Sequence, residues 1–160
     1  GKQKINALEE IIDETDDKII IWANYIYNIE QIKEFLTSKY GKDSFVEIYG
    51  ATKVKDRQQA IESFQNNPKV RFFVSNPTTG GYGLTLTAAN TVVYFSNNYN
   101  LEVRKQSEDR AHRSGQKGTV VIIDIITQNT IDEKIMKALT KKGQIAAKTL
   151  GEEELKDWLL

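Results

Sequence analysis

The segment KIIIWA, residues 18–23, indicates the class of fold, because after its first lysine every side chain is apolar. Four further runs share this β-branched or aromatic character, and they are found at residues 45–49, 70–75, 91–95 and 119–126. Nearly continuous apolar runs are typical of strands that are covered on both faces. The sequence therefore predicts five short strands in a buried sheet.

Segments with helical spacing of apolar residues separate these strands. Three helices are predicted from their apolar residues: Ile5, Leu8, Ile11 and Ile12 in the first, Ile29, Ile32, Phe35 and Leu36 in the second, and Ile61 and Phe64 in the third. A fourth helix is predicted from about Leu101 to His112. A fifth is predicted from Ile131, where Thr130 and Glu133 form a capping box. Strands that alternate with helices predict an α/β fold, a three-layer α/β/α sandwich with a mostly parallel sheet. Ligand sites in such sheets follow the carboxyl ends of strands, so the loops after Ser75 and Phe95 are the first candidates.

Composition excludes several classes of protein. The 160 residues suffice for one buried core, and the apolar runs are far too short to cross a bilayer, so we expect no membrane partner. The absence of cysteine and the single histidine exclude disulfides and a zinc cluster, and we predict no metal site on this chain. The 22 basic residues are balanced by 22 acidic ones, so any contact with DNA must come from a local patch or from backbone amides.

The segment QSEDRAHRSGQ, residues 106–116, is the most informative for chemistry. Arg110 and Arg113 are three residues apart, so on a helix they share one face, with Gly115 as the terminating position. Two adjacent guanidinium groups at a helix end suit a polyphosphate, because each offers planar, paired donors. The alternative is a solvated helix in which Glu108 and Asp109 offset the two arginines.

A glycine-rich segment, SNPTTGGYGLTLT, occupies residues 75–87 after a predicted strand. Its amides and threonine hydroxyls can face an anion. No Gly-Lys-Ser/Thr follows, so it is not a phosphate-binding loop of that type, and a dinucleotide fingerprint would need a third glycine at position 86. The alternative is a simple turn.

Together these segments carry a resemblance to a known family. Residues 106–116 resemble motif VI of Swi/Snf-like helicases of superfamily two, and residues 80–92 resemble motif V. Residues 18–25 are similar to the family's motif IV strand. Residues 48–52, followed by Arg57 and Phe64, are similar to its strand–Gly–x–Thr block, and residues 130–135 resemble the start of its bracing helix. The resemblance implies a RecA-like C-terminal lobe. The chain departs from the usual pattern at Pro77-Thr78-Thr79, at Thr85 and at Tyr99.

The resemblance implies a role for each matching residue. The implied catalytic residues are Arg110, Arg113 and Gln106, with Arg113 as the arginine finger. Gly81, Gly83 and Asp109 are implied to bind ATP together with the two arginines. The residues implied to contact the DNA backbone are Asn24, Tyr25, Thr52, Thr79 and Thr85. The implied cofactor is ATP with Mg²⁺, and the magnesium is held mainly by an N-terminal RecA-like lobe. That lobe and nucleic acid, with double-stranded DNA favoured over RNA, are the implied partners.

The expected organisation is a RecA-like lobe at residues 1–128 followed by C-terminal bracing helices at 129–160. The chain has neither a Gly-x-x-x-x-Gly-Lys-Ser/Thr loop nor an Asp-Glu-x-His motif, so we expect it to be part of a larger ATPase and inactive alone. The alternative is a degenerate lobe that serves as a DNA or protein docking module. We expect an intracellular location, and the many Lys, Ile and Asn residues favour a bacterial or viral source without excluding the nucleus.

Overall fold

The computed structural model describes residues 2–79, 84–98, 100–127 and 134–137. Helices and strands alternate along the described chain except between β3 and β4, where one strand follows the other. In order, the elements are α1 (Lys2–Asp13), β1 (Lys18–Trp22), α2 (Ile26–Tyr40), β2 (Phe45–Ile48), α3 (Val54–Asn66), β3 (Phe72–Ser75), β4 (Ala89–Tyr94), α4 (Leu101–Glu108) and β5 (Val121–Asp124).

The five strands form one sheet in the order β2-β3-β1-β4-β5. All four pairings between neighbouring strands are parallel. Their carboxyl ends therefore lie at one edge of the sheet and their amino ends at the other. This confirms the predicted α/β class, and all five predicted strands are present.

Two apolar clusters cover the two faces of the sheet. Alternate residues of β1 divide between them, because successive side chains of a strand point to opposite faces. One cluster joins Ile19 and Ile21 to α1 and α2, and the other joins Ile20 and Trp22 to α3 and to the chain around Ala111. The molecule is therefore the predicted three-layer α/β/α sandwich.

The fourth helix is shorter than the sequence predicts. The prediction carried it to His112, whereas α4 ends at Glu108 and residues 109–115 form turns. The carbonyl of Arg110 accepts a hydrogen bond from the amide of Leu86 at 3.0 Å, a partner outside the helix. The carbonyl of Arg110 is thus paired outside the helix, and its amide bonds to the carbonyl three residues back, that of Ser107, at 3.3 Å. The expectation that Arg110 and Arg113 share one helical face was wrong.

The proposed boundary between the lobe and the bracing helices falls at residues 128–133, which lie outside the described residues, as does the predicted capping box. Residues 134–137 are helical, and Ile135 is almost fully buried. The domain division remains a proposal. In the described part of the chain, no helix has the length and hydropathy needed to cross a membrane.

Candidate functional site

The turns that follow α4 carry both candidate arginines. Arg110 is 8% exposed, whereas Arg113 is exposed. Ala111, between them, is fully buried in the apolar cluster on the α3 face of the sheet. Burial of Ala111 fixes this segment against the body of the protein, and its two arginines are held at the border between the core and the surface.

The two guanidinium groups influence one another electrostatically. Burial lowers the pKa of Arg110, the positive charge of Arg113 lowers it further, and Asp109 opposes both effects. The Nε of Arg110 is buried and has no hydrogen-bond acceptor among the described residues. A buried, charged donor without an acceptor is costly, and an anion that reached it would relieve that cost.

The end of the motif V segment is tied to these turns. The Nη1 of Arg113 donates to the carbonyl oxygen of Leu84 at 2.9 Å, and the amide of Leu86 donates to the carbonyl of Arg110 at 3.0 Å. Leu84 and Leu86 are buried, and Thr85 between them is exposed. The structure therefore brings Thr85 together with the two arginines.

Gln116 fastens the far end of the same segment, a role that the sequence analysis did not give it. Its Nε2 donates to the carbonyls of Ala89 and Ala111, and its Oε1 accepts from Asn90. Gly115 has a φ of +97°, a conformation that favours glycine. It serves a turn seven residues after the end of α4, so the prediction that it terminates the helix was wrong.

The remaining predicted nucleotide residues are only partly described. Gln106 is exposed on α4 and Asp109 is exposed in the first turn after it. Gly81 and Gly83 lie outside the described residues. Their predicted contact with ATP stays a prediction.

The predicted DNA-contact residues divide between two parts of the molecule. Asn24 and Tyr25 follow the carboxyl end of β1, Thr52 follows that of β2, and Thr79 follows that of β3. Thr85 instead lies just before the amino end of β4, beside the arginines. Four of the five candidates thus share the carboxyl edge of the sheet.

Asn24 is the centre of a polar network at that edge. Its backbone amide donates to the Oγ of Ser96 at 2.8 Å and its Nδ2 to the carbonyl of Ser96 at 3.1 Å. Its Oδ1 accepts from Asn98 at 3.0 Å, and its carbonyl accepts from Asn76 at 3.1 Å. Asn24 therefore joins the loops that follow β1, β3 and β4.

The other candidates at this edge are surface residues with ordered surroundings. Tyr25 is 36% exposed and stacks on Tyr27, with the ring centroids 5.4 Å apart and the planes 14° apart. Thr52 lies in a loop whose carbonyls accept hydrogen bonds from Arg57. The bond from the Nε of Arg57 to the carbonyl of Thr52 measures 2.9 Å. Arg57 therefore holds the loop of Thr52, and the sequence analysis had cited it only as part of the family pattern. The amide of Thr79 donates to the carbonyl of Asn76 at 3.1 Å.

A buried cluster around Arg104 is the main feature that the sequence analysis missed. Arg104 is 7% exposed, and its Nη1 and Nη2 bind the two carboxylate oxygens of Asp124 at 2.6 and 2.8 Å. Its Nε donates to Glu108 at 2.8 Å and its Nη1 to Asn97 at 2.8 Å. The guanidinium carbon lies 3.5 Å from the centroid of the Tyr94 ring. The cluster joins α4 to the ends of β4 and β5.

Glu108 consequently does not offset the candidate arginines. Its carboxylate binds Arg104, and burial raises the pKa of Glu108 although the charge of Arg104 acts in the opposite direction. No salt bridge to Arg110 is found within the described part of the chain. The alternative was a solvated helix in which Glu108 and Asp109 offset the two arginines. In the structure Glu108 is engaged elsewhere and the segment after Glu108 is not helical, while Asp109 still acts electrostatically on Arg110.

A match to a protein family decides the identity of the chain. Residues 3–115 match the family described as helicase conserved C-terminal domain. The chain belongs to this family. It is a RecA-like lobe of the Swi/Snf-like kind, as the sequence resemblance indicated.

Named relatives agree with this assignment. The chromatin-remodeling ATPase INO80 of Sclerotinia sclerotiorum is 30% identical over 142 residues, and that of Aspergillus oryzae is 31% identical over 145 residues. Each match covers 89% of this chain but only 8% and 10% of the relative, respectively. The chain is thus about a tenth of the length of these proteins or less.

A solved structure shares the fold. The C-terminal part of the Fun30 ATPase domain superimposes with a TM-score of 0.79 at 31% sequence identity. The match covers 85% of this chain and 44% of that one.

Proposed function

We propose that this lobe is the second half of an ATP-driven DNA translocase motor. It supplies Arg110 and Arg113 to an ATP site whose other half, with the phosphate-binding loop, lies on an N-terminal RecA-like lobe. The proposal follows from family membership together with the geometry of the turns after α4. The chain by itself then has only part of the catalytic machinery.

The state of Arg110 is the observation that carries the proposal. Its guanidinium is mostly buried, its pKa is lowered by burial and by the neighbouring Arg113, and its Nε has no acceptor among the described residues. A helix surface that only needed solubility would leave its arginines hydrated or paired with carboxylates. An incoming phosphate would supply both the missing acceptor and the missing negative charge.

Arg113 is the better placed of the two to act as the finger. It is exposed, and it is anchored to the carbonyl of Leu84 through Nη1. An anchored guanidinium is already oriented when the transition state forms, and fingers of this kind are worth roughly 10³–10⁵ in rate. Arg110 holds the nucleotide beside it, with Asp109 and Gln106 nearby, and Gly81 and Gly83 complete the proposed ATP contact.

Magnesium is assigned to the partner lobe. Over the part of the chain that the structure describes, no group of three or more acidic, histidine or cysteine side chains is placed to hold a metal ion. The two arginines can bind phosphate oxygens but offer no ligand to a cation. Bound Mg²⁺ would neutralise charge on the phosphates, while the residues of this chain orient and stabilise the group that is transferred.

DNA contact is proposed at two places. The carboxyl edge of the sheet offers Asn24, Tyr25, Thr52 and Thr79, and Thr85 offers a hydroxyl beside the arginines. Hydroxyl and amide contacts to phosphate track a strand without reading its bases. They also need no excess of positive charge, which fits the balance of 22 basic and 22 acidic residues.

The named relatives bear on substrate and source. INO80 is described as a chromatin-remodeling ATPase, and by analogy we favour duplex DNA over RNA as the track. The INO80 relatives come from Sclerotinia and Aspergillus, so they give no support to the bacterial or viral source that composition favoured.

DNA-stimulated ATP hydrolysis tests the proposal. We would compare this chain alone, a protein that joins it to its N-terminal lobe, and the same protein with Arg113→Ala. The expected pattern is no hydrolysis by the chain alone, activity in the two-lobe protein, and a loss of several hundredfold or more in the variant. Hydrolysis by the chain alone would require a nucleotide site elsewhere. An active two-lobe protein that ignores the substitution would favour a docking module.

A further inference from the structure

The Arg104 cluster is not explained by the need for stability alone. A buried ion pair is costly to desolvate, and a well-packed apolar side chain of similar size often stabilises a protein as well or better. Here three ionisable side chains, Arg104, Asp124 and Glu108, meet in a largely buried place at the end of the sheet. What such a cluster does supply is fixed geometry, because the planar guanidinium accepts its partners in few orientations.

Every nitrogen of the Arg104 guanidinium donates a hydrogen bond, and the bonds reach three different residues. Nη1 and Nη2 grip the carboxylate of Asp124 at the end of β5, and Nη1 also reaches Asn97 in the loop after β4. Nε reaches Glu108, the last residue of α4, and the guanidinium carbon lies over the ring of Tyr94. Asn97 in turn donates to Asp124 at 3.1 Å. The orientation of α4 is therefore fixed from β4, from β5 and from the intervening loop.

A second bond fastens the same turn of the helix. The hydroxyl of Ser107 lies 2.6 Å from that of Tyr94 and donates to the carbonyl of Arg104 at 2.8 Å. Both hydroxyl groups are buried. The last turn of α4 thus has one polar anchor to each of two neighbouring strands.

The arginine pair begins immediately after this anchored turn. Arg110 is two residues beyond Glu108, and its amide still bonds to the carbonyl of Ser107 at 3.3 Å. On its other side the segment is held by contacts with residues 84–86 and by Gln116. A change in the direction of α4 would therefore displace Arg110 and Arg113 directly.

We propose that Arg104 is a positioning residue of the motor, one that sets where Arg110 and Arg113 stand by locking α4 to β5 through Asp124. The proposal rests on the function proposed above for Arg113. Arg104 is buried and touches neither nucleotide nor DNA in this scheme. Its effect on hydrolysis passes through the two arginines.

The test is a double-substitution cycle in the two-lobe protein, read as ATP hydrolysis in single turnovers with duplex DNA. Arg104→Lys keeps the charge but lacks the fork that binds both oxygens of Asp124. We expect it to lower the rate at saturating ATP about 10- to 100-fold, since misplacement by about 1 Å has effects of that size, and any rise in KM for ATP reports the displacement of Arg110. In the Arg113→Ala background the same substitution should lower the rate by a smaller factor than in the protein with Arg113, because of the two groups that it misplaces only Arg110 remains.

Arg71→Lys is the matched control. Arg71 also anchors a helix, since its Nη2 donates to the carbonyl of Ile12 near the end of α1 at 3.0 Å and its Nε to that of Asp17 at 3.2 Å. Its side-chain bonds run to the end of α1 and to the loop before β1, at the amino ends of the strands and not at the carboxyl end where Asp124 lies, so Arg71→Lys should weaken folding without a selective loss of rate. Asp124→Asn keeps the shape of the partner and serves as the second variant if Arg104→Lys unfolds the protein.

Two results would overturn the proposal. One is that Arg104→Lys lowers the rate of ATP hydrolysis by the same factor with and without Arg113, which would indicate general destabilisation. The other is a rate for Arg104→Lys and Asp124→Asn no lower than that of Arg71→Lys. If Arg113→Ala alone left hydrolysis unchanged, the proposed function itself would fail, and this outcome is recognisable before the cycle is read.

Discussion

Replacing Gly115 by alanine probes how strictly the turns after α4 are set. The φ of Gly115 is +97°, and the left-handed region costs an L-residue about 1–2 kcal/mol. A Cβ built there meets no heavy atom within 4 Å, so backbone conformation is the only penalty we expect. Because the turn also connects Arg113 to the fastening residue Gln116, we expect the rate of ATP hydrolysis to fall about tenfold, as misplaced groups do.

Gly41 provides a matched comparison. It ends α2 with a φ of +93°, and a Cβ there also meets nothing within 4 Å. Urea unfolding of this chain should show a loss of unfolding free energy for both Gly115→Ala and Gly41→Ala. ATP hydrolysis by the two-lobe protein should fall only for Gly115→Ala. Equal rates in both variants would refute the view that the geometry of this turn positions the arginines.

Three further predictions concern α4 and its anchors. Ser107→Ala leaves the buried hydroxyl of Tyr94 without its partner and should lower the free energy of unfolding in urea by about 1–3 kcal/mol. Adding Tyr94→Phe should recover part of that loss. If the losses of the two single variants simply added up in the double variant, the pairing would be contradicted. Asn100→Ala removes the side-chain oxygen that caps α4 by accepting a hydrogen bond from an amide at 3.1 Å. It should lower the free energy of unfolding by about 1 kcal/mol in the same assay, and an unchanged urea midpoint would show that the cap is dispensable. Burial raises the pKa of Glu108 above its ordinary 4.5, so the folded state binds this proton more tightly than the unfolded state. The stability that Glu108 contributes is therefore present below pH 4.5 and lost as the pH rises through its folded pKa, and the unfolding free energy relative to Glu108→Gln should decline over that range rather than stay level.

The sheet was readable from the sequence because its signal is local. Buried parallel strands need apolar side chains on both faces, and a run such as residues 18–23 provides them without reference to any partner. The helices between the strands carry their own apolar spacing. The resemblance in motifs V and VI then identified the kind of lobe, and the match to residues 3–115 of the chain confirmed it.

The end of α4 could not be read in the same way. Residues 101–112 have no proline or glycine to stop a helix, and the first glycine after them is Gly115. Just beyond the end of α4, the carbonyl of Arg110 is held by the amide of Leu86, 24 positions away in the chain. A pattern of neighbouring residues holds no information about that bond.

The Arg104 cluster was missed for a related reason. Arg104 and Glu108 are four apart on a helix and could have been recognised as a local ion pair. Asp124 is 20 positions away on β5, and only the parallel pairing of β4 with β5 brings it near. In the sequence Glu108 could pair with either Arg104 or Arg110. In the structure it binds Arg104, which also binds Asp124.

The most direct test of the account separates binding from hydrolysis in the two-lobe protein. We would measure ATP affinity and the hydrolysis rate at saturating ATP and duplex DNA for Arg113→Ala and for Lys117→Ala, which removes an exposed cation four residues further along. The account predicts that Arg113→Ala loses about 10³-fold or more in rate with affinity within about tenfold, because a finger acts on the transition state. It predicts that Lys117→Ala keeps both. Hydrolysis by Arg113→Ala at the rate of Lys117→Ala would contradict the central claim that this lobe supplies the finger.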